Sequence, residues 1–131
     1  MRQSILALAA VIVLSAPAAA TEWIYCGDTA GEVQIGLLAG HFQFLEVNRA
    51  NFSVGDEQWS TNPELEPGKP IAIGQHYSGD NQLLIDLTDV NAEETLAELR
   101  IFTADEGEDY VQGGVLRVPG YGAWVVSCEG P

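Results

Sequence analysis

The sequence predicts an all-β domain, a small antiparallel β-sandwich or barrel of seven to eight strands. Three observations carry that expectation. Short segments rich in Val, Ile, Phe, Tyr and Trp recur at spacings of about 8–12 residues. Pairs of Gly with Asp, Asn, Ser or Pro punctuate them. Cys26 and Cys128 stand near the two ends of the folded region, as a staple between first and last strands would.

The elements follow in order. Trp23-Ile24-Tyr25-Cys26 is rich in strand formers. Gly27-Asp28 and Ala30-Gly31 turn the chain, and Val33, Ile35 and Leu37 then alternate with polar or small residues, a period of two. After Ala39-Gly40, the run His41 to Val47 resumes strand, with Phe42 and Phe44 on one face, so the two runs form an antiparallel hairpin. Asn51 to Val54 reads as a short strand before Gly55-Asp56, with Gln58-Trp59-Ser60 pairing back on it. Pro63, Pro67 and Pro70 cannot donate to a ladder, so residues 61–70 read as a surface loop.

Ile71 to Tyr77 and Gln82 to Asp89 read as strands around the turn Ser78-Gly79-Asp80-Asn81. Ala92 to Arg100 carries helix formers but also alternates; strand from Thr95, with a single helical turn at 91–94, is the preferred reading. Ala104 to Asp109 is an acidic turn. Val111 to Val118 and Ala123 to Cys128 are the last two strands, separated by Gly120-Tyr121-Gly122. No internal repeat or linker interrupts the run, so residues 21–131 are expected to form one domain.

Residues 1–20 have the form of a secretory signal peptide: one positive charge at Arg2, an apolar run from Ile5 to Leu14, then a small-residue site at Ala18-Ala19-Ala20. The run is too short to span about 30 Å of hydrocarbon as a helix, so no stable membrane anchor is expected after cleavage. Periplasmic or secreted localisation follows, and in that compartment Cys26 and Cys128 read as a disulfide.

Of 131 residues, 19 are acidic and 5 are Lys or Arg, a net charge of −14. That balance excludes nucleic-acid binding, which rests on basic side chains meeting phosphate. It also disfavours anionic membrane surfaces and favours a cationic protein partner. The hydrophobic share, 47%, separates the chain from disordered acidic tails.

Catalytic constellations are hard to assemble. His76 and Ser78 share one hairpin with Asp80 but match no nucleophile motif, and His41 and His76 lack the spacing of a zinc site. No cofactor is expected. Calcium is the one ion the acidic clusters could take, at Asp86 and Asp89 or at Asp105, Glu106, Glu108 and Asp109, although neither run has EF-hand spacing. The plainer reading of both clusters is solvated turns. Arg100 and Arg117 are expected to pair with Glu98 or Asp86.

Trp23 and Trp124 flank the cysteines and are expected to pack as core beside the staple. Trp59 sits among polar residues; it reads as a buried cap on one end of the domain, with an exposed binding anchor as the alternative. Candidate binding residues are Trp59, Tyr77 and Ser78.

An export leader, a small antiparallel β domain, cysteines near both ends and the turn Tyr77-Ser78-Gly79 together resemble the C-type lysozyme inhibitor family. The resemblance implies a periplasmic protein that binds a basic enzyme, with no functional residue carried over. The favoured function is a non-catalytic binding module for a protein partner. A calcium-binding domain and a small hydrolase are the alternatives.

Overall fold

The computed structural model describes residues 21–41 and 45–130, with only the backbone of His41. The leader expected at 1–20, and Phe42 and Phe44 of the second hairpin, lie outside the described residues.

Ten strands form one sheet: β1 (Thr21–Gly27), β2 (Val33–His41), β3 (Leu45–Val54), β4 (Glu57–Ser60), β5 (Lys69–Pro70), β6 (Ala72–Ser78), β7 (Gln82–Thr88), β8 (Thr95–Glu106), β9 (Asp109–Val118) and β10 (Gly122–Glu129). The all-β expectation holds, but the strand count is ten rather than seven to eight. No described residue is helical, and residues 91–94 form bends and turns where a helical turn was expected.

The sheet order is β5-β4-β3-β2-β1-β10-β9-β8-β7-β6. The terminal strands β1 and β10 are neighbours at its centre, so successive strands run up and down around a ring. The chain itself bridges the remaining gap. Lys69 and Pro70 run parallel to β4, Ile71 N donates to Ser60 O at 3.0 Å, and the chain continues as β6. The result is a nearly closed, barrel-like sheet rather than a sandwich. Near-closure removes long open edges, the main aggregation hazard of an all-β chain.

The short parallel β4–β5 pair trims the loop expected at 61–70 to 61–68 and corrects the purely antiparallel arrangement. Pro70 is tolerated there because an edge strand leaves its nitrogen without a ladder to join.

Three register shifts interrupt the ladders: one leaves Leu96 extra in β8, and those in β3 and β6 set which side chains face inward near the site. In β3, Val47 lies opposite Ala39 and Arg49 opposite Leu38, so Asn48 is the extra residue. The parity of β3 flips there: Val47 is buried before the bulge, Ala50 and Phe52 after it. In β6, Ile73 lies opposite Leu87 and His76 opposite Ile85, so Gly74 and Gln75 face Asp86 together. A Cβ on Gly74 would stand 2.8 Å from Thr88 Cγ2 and 3.0 Å from Asp86 O, which is why glycine sits at this crossing.

Alternate residues fill the interior as a single cluster. Ile24, Ile35, Leu37, Ile85, Leu87, Leu99, Ile101, Leu116 and Val126 are among its fully buried members. Each such side chain contributes roughly 1.5–3 kcal/mol on burial.

The disulfide joins Cys26 to Cys128, directly opposite residues of β1 and β10. That seam has three registered pairs, Tyr25↔Glu129, Cys26↔Cys128 and Gly27↔Ser127. The covalent link therefore lies where the ring of strands has its shortest antiparallel ladder.

Candidate functional site

The lengths of β8 and β9 shape the most distinctive surface. β7 pairs with β8 as far as Phe102, and Thr103 N bonds Asn81 O in the β6–β7 turn at 3.0 Å. β10 pairs with β9 only from Gly113 onward. The last pairs of the hairpin, Ala104↔Val111, Asp105↔Tyr110 and Glu106↔Asp109, have no strand on either side. They form a two-stranded ribbon projecting from the barrel, exposed on both faces from Ala104 to Val111. The acidic turn expected at 104–109 thus tightens to Gly107-Glu108, with strand running up to it on both sides. Gly107 takes φ 64°, the left-handed conformation the turn demands.

The ribbon carries Asp105, Glu106, Glu108 and Asp109, and none of the four takes part in a salt bridge among the described residues. The basic residues are engaged elsewhere. Arg49 meets Glu66 at 2.7 Å, Lys69 meets Glu57 at 3.2 Å, Arg100 meets Asp86 at 2.9 Å and Arg117 meets Glu98 at 3.1 Å. The pairing expected for Arg100 and Arg117 is therefore present. At the ribbon's base, Phe102, Val111, Val115 and Val125 share the outer face of the sheet, and all are exposed. Val125, 79% exposed, lies directly opposite Val115.

Beside this stripe a groove of about 420 Å³ opens on the outer face, lined by β6, β7 and β8. Its lining includes Gln75, His76, Tyr77, Leu84, Asp86 and Arg100. Arg100 is fixed to the sheet: Nη1 donates to the carbonyls of Ile85 and Leu99, at 3.2 and 3.0 Å, while Nη2 meets Asp86 Oδ1. That last contact is an ion pair with poor alignment, and Asp86 Oδ1 is enclosed without an aligned hydrogen bond.

Tyr77 lines this groove, more than half exposed, while Ser78 ends β6. Trp59 lies elsewhere, on β4. It is 7% exposed, as its capping role predicts, and stacks on Phe52 with centroids 4.5 Å apart. Tyr121 meets its edge and Lys69 Nζ lies 5.2 Å from its ring centroid. Tyr77 and Ser78 are consecutive but take opposite faces, Tyr77 paired with Leu84 and Ser78 with the buried Leu83, and Trp59 joins neither: β6 begins beside Ser60 and ends, a strand's length away, at Ser78.

Trp23 corrects the expectation of a core residue. It stands on the outer face, stacked on Tyr25 at 5.6 Å with Arg49 5.4 Å from its ring centroid, because Ile24 and Cys26 take the inward positions of β1. Trp124 is partly buried against the core and donates Nε1 to Glu32 at 3.1 Å.

The candidate calcium residues fall in two places: Asp105, Glu106, Glu108 and Asp109 lie on the ribbon, and Asp86 and Asp89 at β7 and the loop after it. Asp86 is paired with Arg100. Asp89 spends its carboxylate on its own loop, accepting from the backbone N–H groups of Glu94 at 2.7 Å, Glu93 at 2.8 Å and Asn91 at 3.3 Å. The Glu94 bond is the largest cause holding Asp89 below the usual aspartate range. Among the described residues no group of three His, Cys, Asp or Glu side chains could hold a metal ion. No side-chain hydrogen bond joins His76 to Ser78 among the described residues, so the hairpin offers no assembled nucleophile and base.

Residue-by-residue reading of the sequence passed over Phe102, Val111 and Gln75 as site residues. The available signal was the length of the two strand-compatible segments, Thr95 to Asp105 and Asp109 to Val118, greater than that of the strands flanking them. Two paired strands that outrun their neighbours must project. Comparison with protein-family models, curated proteins and solved structures finds no match to this chain.

Proposed function

We propose that this protein is an exported, non-catalytic binding module that docks a cationic protein through the β8–β9 ribbon and the apolar stripe at its base. The observation that carries the reading is the ribbon itself: four carboxylates without basic partners among the described residues, on a projection beside exposed Phe102, Val111 and Val115. The acidic field accelerates encounter with a basic surface, and apolar contact then slows dissociation. A dry apolar centre with a charged rim is the usual anatomy of such interfaces. The disulfide suits an oxidising compartment outside the cytoplasm.

The test is affinity capture from envelope extract or surrounding fluid at low and high salt, using the oxidised protein. A basic protein retained at low salt and released at high salt is the expected result. The combined variant Asp105→Asn, Glu106→Gln, Glu108→Gln and Asp109→Asn should abolish retention without lowering Tm, because those residues are exposed and make no salt bridge among the described residues. Equal capture by the variant, or empty eluates at both salts, would overturn the reading. A basic lysozyme is the direct probe for the family resemblance of the chain's outline and the Tyr77-Ser78-Gly79 turn: inhibition of its activity would name the partner class.

A further inference from the structure

We infer that the outer-face groove beside β6 is a binding subsite for a neutral sugar residue, with Tyr77 as its stacking platform and Gln75, His76, Asp86 and Arg100 as its polar contacts. This inference does not depend on the docking proposed for the ribbon.

Size and shape come first. At about 420 Å³ the groove is ample for a single sugar ring and open enough for a chain to pass through. Small-molecule sites commonly measure about 300–1,000 Å³ and combine apolar walls with a few fixed polar groups. The bulge at Gly74–Gln75 interrupts β6 beside it, and bulges re-aim side chains next to binding sites.

Chemistry narrows the ligand. Tyr77 is 57% exposed on a structured strand with its ring passing over Gly79, and it and Leu84, its register partner, both line the groove, giving it an aromatic and an aliphatic wall. The C–H face of a pyranose gains dispersion and electrostatic attraction on such a surface. Around it stand an amide, an imidazole, a carboxylate and a guanidinium, all planar groups with paired hydrogen-bonding atoms. Neighbouring hydroxyls of a sugar donate and accept at matching spacing. Arg100 is held by the carbonyls of Ile85 and Leu99, so little of its freedom remains to be lost on binding.

Charge excludes the other small polar ligands. Asp86 and Arg100 neutralise one another, so the groove presents no free cation to an anion, and a net charge of −14 repels anions at a distance. A cationic ligand would have to displace Arg100 from Asp86. A neutral polyhydroxylated ring meets neither obstacle.

The test uses the oxidised, isotope-labelled protein expressed through its own leader. Amide resonances are followed while cellotriose, chitotriose and maltotriose are added separately to millimolar concentration. At least one trisaccharide should shift resonances at Gly74 to Tyr77, Leu84 to Asp86 and Arg100. Tyr77→Ala should weaken that binding about tenfold, the scale of one lost aromatic stack, and leave Tm unchanged. Gln75→Ala, also at an exposed position, should weaken it as well. No shift in the groove with any of the three sugars would overturn the inference, as would undiminished binding by Tyr77→Ala. Equal binding of a trigalacturonate would overturn its neutral character. The ribbon variant with four amides should bind the sugar like the parent, so failure of protein docking and failure of sugar binding are separately visible.

Discussion

Tyr121, in the turn between β9 and β10, donates its hydroxyl to the carboxylate of Glu57 at the start of β4. The same carboxylate oxygen takes Lys69 at 3.2 Å, and Tyr121 and Lys69 both lie against the ring of Trp59. One acid thus ties the end of the chain's second meander to the edge of its first. The Tyr121 hydrogen bond, ahead of the bond from Lys69, holds Glu57 below the ordinary glutamate range, and the same bond raises Tyr121 above the ordinary tyrosine value.

The sign of the pH dependence follows. A depressed carboxylate stabilises the fold above its unfolded value of about 4.3, and that contribution fades as pH falls through the lower folded value. Tyr121→Phe should return the Glu57 titration midpoint toward the ordinary range and lower Tm at neutral pH more than at pH 3. Side-chain carboxyl shifts followed by NMR read the first effect and thermal melts the second. An unmoved Glu57 midpoint would show that the bond is absent in solution.

Asp89 should titrate below the ordinary aspartate range, since three backbone N–H groups of its loop converge on it, that of Glu94 foremost. Asp89→Ala leaves those donors without their acceptor and so loosens the loop they close. The expected outcome is a lower Tm at neutral pH and faster amide exchange at Glu93 and Glu94. The difference should shrink in acid as the parent's own Asp89 protonates. Equal exchange in both proteins would refute it.

Reduction of Cys26–Cys128 should be costly. The bond closes a loop of 102 positions, worth roughly 4–5 kcal/mol in the chain-entropy account. It also guards a ladder of only three pairs. Cys26→Ala with Cys128→Ala should unfold at markedly lower denaturant, with early loss of protection in β1 and β10. A midpoint matching the parent would mean that the inward packing of the seam suffices alone.

Gly114→Ala tests how closely β8 and β9 approach. Its Cβ would fall 1.7 Å from the Arg100 carbonyl oxygen, so one of the two backbones must move. A loss of about 1–3 kcal/mol is expected, as for overpacking elsewhere. Val125→Ala on the neighbouring strand, at a site 79% exposed, should change stability by less than about 0.5 kcal/mol. Similar melts for the two variants would contradict the backbone contact.

Where alternation was clean, the chain was legible. Val33 to Leu37, Leu83 to Leu87 and Leu99 to Ile101 carry their inward positions in a period of two, and the structure buries those positions. Where a bulge intervened, the pattern misled. Asn48 inserts one residue and reverses the parity of β3, so a single strand read as two fragments. Pro70 masked β5 because the usual objection to proline assumes a ladder on both sides.

Composition and local pattern by themselves determined an all-β chain, an acidic composition and a cysteine pair at the ends of the domain. These depend on side-chain chemistry and on neighbours within a few residues. Only the tertiary structure decided that the sheet curls into a nearly closed barrel, that Trp23 faces outward, and that β8 and β9 project while β6, β7 and β8 line a groove. Those outcomes depend on register and strand length, which are relations between segments distant in the chain. A shift of one residue in pairing exchanges core for surface, and no single segment encodes which partner it will meet.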